Sequence, residues 1–177
     1  LLYLKHRAFL RGGAALEGAD KDRMAEIKSR LAVLGTEFVQ NLLADERDWA
    51  MELSDGDLGG LPDFLIAAAR AAGAERGAKG PIIPPPRSLY TPFMQYSPRR
   101  DLRERAWTAF TNRGARGGEH DNRALTAEIL ALRQERAALL GYPSFAAYKL
   151  ETEMAGNPDA VRDLLMQVWR PARAQAE

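Results

Sequence analysis

Imidazoles come first, because they serve both metal binding and proton transfer near neutral pH. This chain of 177 residues holds two, His6 and His120, far apart in sequence. A hydrolytic zinc site commonly needs two imidazoles one helical turn apart, delivered as H-E-x-x-H, together with a carboxylate. Neither histidine is followed by that spacing, so no catalytic zinc site is expected within these residues. No G-x-S-x-G elbow presents a serine, and nothing ties either histidine to one. Cysteine is absent, which excludes disulfides and thiolate metal sites and permits a cytosolic or bacterial setting. No catalytic, cofactor-binding or metal-ligating residue is therefore assigned.

Glu119-His120-Asp121 is the most polar cluster, but three consecutive side chains cannot all face one metal from regular structure. The plainer reading has Asp121 or Asn122 capping the helix that follows, with Glu119 favouring its positive end. Arg99, Arg100, Arg103 and Arg105, with Arg113, Arg116 and Arg123 nearby, form the densest basic region. Asp101, Glu104, Glu119 and Asp121 dilute it, so a solvated face is expected rather than an anion or nucleic-acid site. Tyr90, Phe93, Tyr96, Trp107 and Phe110 are interleaved there. Trp107 and Phe110 stand at helical spacing, so core and corner packing accounts for them more simply than base stacking.

The stretch that organises the chain runs from Asp121 to Tyr148. Leu125, Ile129, Leu132 and Leu139 predict the buried stripe of a helix, widened by Ala124, Ala127, Ala131 and Ala138, with the charged residues opposite. Gly141 stops this helix, and Pro143 is expected at the first turn of a second one carrying Phe145, Ala146, Tyr148 and Leu150. Upstream, a first helix is expected over Leu2–Leu16, with Leu2, Phe9 and Leu10 buried, a weak point at Gly12-Gly13 and an end at Gly18. Asp20 is a plausible N-cap for a long second helix. Its seam of Met24, Ile27, Leu31, Leu34 and Phe38 suits an antiparallel hairpin, or less simply a dimeric coiled coil.

Trp49 to Leu53 reads as a strand, ended by the turn Ser54-Asp55-Gly56-Asp57. Pro62 opens a helix through Phe64 and Leu65 that stops at Gly77. The β-branched Ile82-Ile83 is followed at once by Pro84, Pro85 and Pro86, so at most a small two-stranded piece with Trp49 to Leu53 is expected. Ser88 to Tyr96 reads as a short helix broken by Pro92. Ser97 and Pro98 are expected to cap and open the next, with Leu102, Ala106, Ala109 and Phe110 inward. Gly114 to Gly118 then reads as a flexible link. Asn157-Pro158 starts a last helix with Val161, Leu164, Leu165 and Val168 inside, bent or interrupted at Pro171. The fold class expected is mainly α: a multi-helix segment of helical hairpins with at most a small two-stranded β element.

Lys plus Arg number 25 against 24 Asp plus Glu, a formal charge of +1, which argues against a nucleic-acid or anionic-membrane surface. No apolar run approaches a membrane span, and Lys5, His6 and Arg7 interrupt the only early apolar segment, so no signal peptide is expected. Leu1 already stands in a helical pattern, and Ala172 to Glu177 is still helix-forming without a cap. The sequence is therefore expected to continue on both sides, and a chain cut in this way to expose apolar surface and self-associate, through Leu164, Leu165, Val168 and Trp169 above all.

The segment LALRQERAALLGYPSFAAYKLETEMAGNPDAVRDLL resembles the zinc metallopeptidases of the thimet oligopeptidase type, most closely their bacterial peptidyl-dipeptidase branch. GGEHDNR, SLYTPFMQYSPRRDLRERAWTAF and RLAVLGTEFVQNLLAD extend the likeness over nearly the whole chain; the triple proline departs from the family's usual wording. The resemblance implies that residues 1–177 form a single helical region from the N-terminal half of a two-lobed, cytoplasmic enzyme. It implies a deep channel that restricts substrates to short peptides, with this chain as one wall. Zinc would sit on a His-Glu-x-x-His helix, with a further glutamate, in a C-terminal catalytic half that is the implied partner. The chain alone would hold no zinc and be inactive. The alternative is a stand-alone helical scaffold that binds a partner helix or peptide.

Overall fold

The computed structural model describes residues 1–177. It is 68% helical, with eight helices and one two-stranded antiparallel sheet, as the hydrophobic periodicity predicts. In chain order these are α1 (Leu2–Arg11), α2 (Gly18–Asp48), β1 (Met51–Glu52), α3 (Asp63–Glu75), β2 (Ile82–Ile83), α4 (Arg87–Tyr96), α5 (Arg100–Thr111), α6 (Arg123–Leu139), α7 (Phe145–Leu150) and α8 (Pro158–Ala176). The chain divides into two compact units, one of residues 1–34 and 126–177, the other of residues 35–125.

The second unit is built on apolar packing. β1 and β2 pair with Met51 opposite Ile83 and Glu52 opposite Ile82. Their inner residues join Leu53, Leu58, Leu61, Leu65, Ala69, Leu89, Phe93, Leu102 and Ala106 in one core. Phe93 is completely buried. Pro84 to Pro86 end β2 after two residues, as a run without donors must, and Pro86 then precedes the first turn of α4. α3 passes so close to the approach to β2 that a Cβ on Gly73 would lie 2.2 Å from the Gly80 carbonyl oxygen, so only glycine fits. Arg76 donates to the carbonyls of Glu46 (3.3 Å), Arg47 (3.3 Å) and Trp49 (3.1 Å), satisfying acceptors at the C-terminal end of α2.

The first unit relies more on polar ties. Met24, Ile27 and Leu34 of α2 are buried as the seam predicts, and Leu132 and Ala137 of α6 are buried too. Arg23 grips Glu135 with two bonds of 2.6 and 2.9 Å, and Arg30 grips Glu128 with two of 2.6 and 2.7 Å. The arginines and the glutamates are each one heptad apart and pair in opposite order, so within this unit the two helices run antiparallel. These bonds hold both glutamates below the usual carboxylate range and push Arg23 up. At the end of α6, Gly141 has φ +80°. Its N–H reaches Ala138 O (2.9 Å) and that of Tyr142 reaches Ala137 O (2.9 Å), the paired bonds of a Schellman cap.

Several expectations are corrected. α1 stops at Arg11 and buries none of its residues, with Leu2, Phe9 and Leu10 exposed. Gly18 begins α2 instead of ending α1, and Asp20 lies inside the first turn. α4 continues through Pro92, since burial of Leu89 and Phe93 outweighs one missing ladder bond, and α8 continues through Pro171. Ser97 is buried and accepts from the Arg99 N–H (3.3 Å), while α5 begins only at Arg100, so Ser97-Pro98 neither caps nor opens it. Pro143 precedes α7, whose N-cap is Ser144, with its hydroxyl accepting from the Ala147 N–H at 3.1 Å. Ala124, Ala127, Ala131 and Ala138 face water, and the buried residues of α6 are Leu132 and Ala137. Asn157 caps α8 as expected, but Leu164, Leu165 and Val168 are each more than 60% exposed.

Candidate functional site

The two histidines are not drawn into a metal site. His6 is exposed on α1, and His120 lies in the turn before α6 with its Nδ1 buried and without a hydrogen-bond partner. No three His, Asp or Glu side chains stand close enough together to hold a metal ion. Asp121 folds back to accept from the backbone N–H of Arg123 (2.9 Å) and Gly117 (2.8 Å). Its carboxyl is held at about 2, chiefly by the Arg123 side chain. Asn122 is buried: its amide donates to Phe38 O (3.0 Å) and its oxygen accepts from Asn41 (2.9 Å). The polar cluster thus closes a turn.

That turn is no loose link. Asp45 accepts from the Gly114 N–H (2.8 Å) and pairs with Arg116 (3.1 Å), and Glu46 pairs with Arg113 (2.5 Å). Arg113 also lies 4.1 Å from the centre of the Phe110 ring, which stacks on Tyr90 at 4.0 Å. Arg99 bridges Asp57 (2.5 Å) and Asp101 (2.7 Å), and Arg103 donates to Ser97 O. Most of the basic region is therefore spent on internal pairs and carbonyls, and Trp107 stands exposed instead of packing.

Beside α5 in the second unit lies a cavity of about 860 Å³. Trp49, half-buried against the core, contributes its indole, with the Arg116 guanidinium 5.7 Å from the ring centre. Arg116 is fixed there by Asp45 and by Ala109 O (2.8 Å). Asp101, Glu104, Arg105 and Thr108 line the other side from one face of α5, with Asn112 just beyond its end. Asp101 is held ionised, at about 2, chiefly by its hydrogen bonds from Arg99. The sequence reading spreads these residues over a solvated basic face and misses the groove. The signal available to it was the i, i+3, i+4, i+7 run of polar side chains Asp101, Glu104, Arg105 and Thr108.

In the first unit, Arg11 is the most heavily bound side chain. It donates to Tyr148 O (2.6 Å) and Tyr142 OH (3.2 Å), pairs with Glu151, and lies 4.0 Å from the centre of the Tyr148 ring. Tyr142 OH donates to Glu151 (2.6 Å), which is held below the usual carboxylate range chiefly by that bond and then by Arg11.

The family model for Peptidase family M3 matches residues 93–177. Oligopeptidase A of Salmonella typhimurium is 35% identical over 176 residues, covering 97% of this chain and 26% of that protein. Dipeptidyl carboxypeptidase of Escherichia coli is 29% identical over 99% of this chain and 26% of its own length. A probable cytosolic oligopeptidase A of Arabidopsis thaliana is 31% identical over 90% of this chain and 24% of its own length. The chain thus spans about a quarter of the length of the curated relatives it matches.

Proposed function

This chain is a relative of Peptidase family M3, and from that premise we propose that its 177 residues form a single helical wall region of a larger, cytoplasmic zinc peptidase acting on short peptides. The observation that supports this reading is the match along nearly the whole chain to two kinds of peptidase, joined to a mainly helical fold. The residues present do not fit zinc, since His6 and His120 have no further histidine or grouped carboxylates to complete a ligand set. No catalytic step is assigned to them. The metal and the water it activates belong to the remainder of the parent protein, whose catalytic half is the partner of this region. Its release of dipeptides or of longer pieces is part of the same proposal.

A second reading, a stand-alone scaffold for a partner helix or peptide, has one observation in its favour. Leu164, Leu165, Val168 and Trp169 form an exposed apolar face on α8. No helix is long and apolar enough to cross a membrane. The test of both is the polypeptide of the same gene carried to the length of the relatives. One equivalent of zinc and chelator-sensitive cleavage of short peptides are expected. A full-length product without a His-Glu-x-x-His segment, metal-free and inactive, would leave the scaffold.

A further inference from the structure

Nothing in the chain covers α8 beyond its first turn: Arg162 to Glu177 are all exposed, and the helix packs chiefly against α7. At roughly 100° per residue, Leu164, Leu165, Val168, Trp169 and Ala172 fall on one stripe, with Asp163 and Arg170 on the opposite face. A continuous apolar stripe left in water disfavours a lone helix, whose stability comes mostly from packing such a face. We propose that the stripe is the interface of a homodimer, in which two copies of α8 pair antiparallel about a two-fold axis passing between Met166 and Gln167.

The stripe is balanced about that point, and this balance selects a second copy as the occupant. Leu164 and Val168 share one edge, Leu165 and Trp169 the other, and each pair is centred within half a residue of the axis. The two-fold rotation therefore sets Leu164 against Val168 of the second copy and Leu165 against its Trp169, with the small Ala172 level with half-buried Val161. An unrelated partner helix would need an apolar stripe but would place no such symmetry on this one. Charge agrees with the same register: Asp159 comes level with Arg173 of the second copy on one flank, where Arg162 is already neutralised by Asp159 (3.2 Å). Parallel pairing would set Asp159 on Asp159 and Arg173 on Arg173. Four large side chains cover less than the roughly 800 Å² per partner of a standard interface, so a dissociation constant in the micromolar range is expected. The pairing needs no metal and goes beyond the wall role, so its failure would leave that reading intact.

The experiment is sedimentation equilibrium of the 177-residue chain across micromolar concentrations, where monomer and dimer in exchange are expected. Leu165→Gln and Trp169→Gln, which place a good helix former at exposed positions, should each weaken the dimer roughly tenfold, while Asp163→Gln on the opposite face should leave it unchanged. Circular dichroism checks that each variant remains helical. Because the chain has no cysteine, single cysteines report the register. The two copies of position 168 lie about 4.5 Å apart along the helix axes, so Val168→Cys should form a disulfide-linked dimer on mild oxidation. Those of position 172 lie about 16 Å apart, so Ala172→Cys should not. A helical chain that stays monomeric at every concentration would overturn the proposal, and if that monomer floats with phosphatidylcholine vesicles the stripe belongs to a lipid surface instead. A dimer undiminished by Trp169→Gln, or an Ala172→Cys variant that cross-links as readily as Val168→Cys, would overturn it as well.

Discussion

The two units hold their helices by different means. In residues 35–125, α3, α4, α5 and the small sheet close on one apolar cluster centred on Phe93. In residues 1–34 and 126–177, α1 and α8 bury nothing, and α1 is fastened by Arg11 in a cage of two tyrosines and Glu151. Burial is additive and tolerant of small displacements. A caged guanidinium is directional: it sets one geometry and loses most of its grip when one partner goes. The difference assigns global stability to the second unit and local opening to the outer helices of the first.

The largest effect is expected at Phe93. Phe93→Ala leaves a void in the apolar cluster and should cost about 3–5 kcal/mol in a denaturant melt. Leu132→Ala, in the first unit, should cost roughly 2–3 kcal/mol, because the side chain is smaller and 9% exposed where Phe93 is fully buried. A cost at Leu132 equal to that at Phe93 would erase the contrast between the units. Arg11→Met should cost about 2 kcal/mol, and its signature is local: faster amide exchange in α1 with α3 and α4 unaffected.

Acid sharpens the same contrast. Glu151 has its carboxyl lowered in the folded state, so the stability it contributes is present above the ordinary glutamate value and is lost as pH falls through the folded one. α1 should therefore loosen below the usual carboxylate range before the second unit's core does, measured by amide signals of Leu4 to Leu10 against those of Leu65 to Ala72. The smallest effect belongs to Arg30→Ala. Its bond to Glu128 is largely solvated, and a change within the error of the melt is expected.

How much of this is legible in the sequence depends on what fixes each feature. The seam of α2, the pairing of Trp49 to Leu53 with Ile82-Ile83 and the Gly141 stop follow from periodicity and turn chemistry, which are local. The exposure of Leu164, Leu165 and Val168 does not, because an amphipathic helix announces an apolar face and not what covers it. Helix ends at Pro92 and Pro143 are misplaced because tertiary burial and a Ser144 cap override the proline rule. Only the α5 wall of the groove is legible in sequence, because Trp49 reaches it from a segment far from Glu104 in the chain. Arg76 over the end of α2 is missed for the same reason.

The claim that chemistry lies outside these 177 residues is tested most directly on the purified chain itself, by elemental analysis for zinc together with cleavage of a short peptide with and without chelator. No stoichiometric zinc and no hydrolysis are expected. Zinc near one equivalent with cleavage that a chelator abolishes would contradict it.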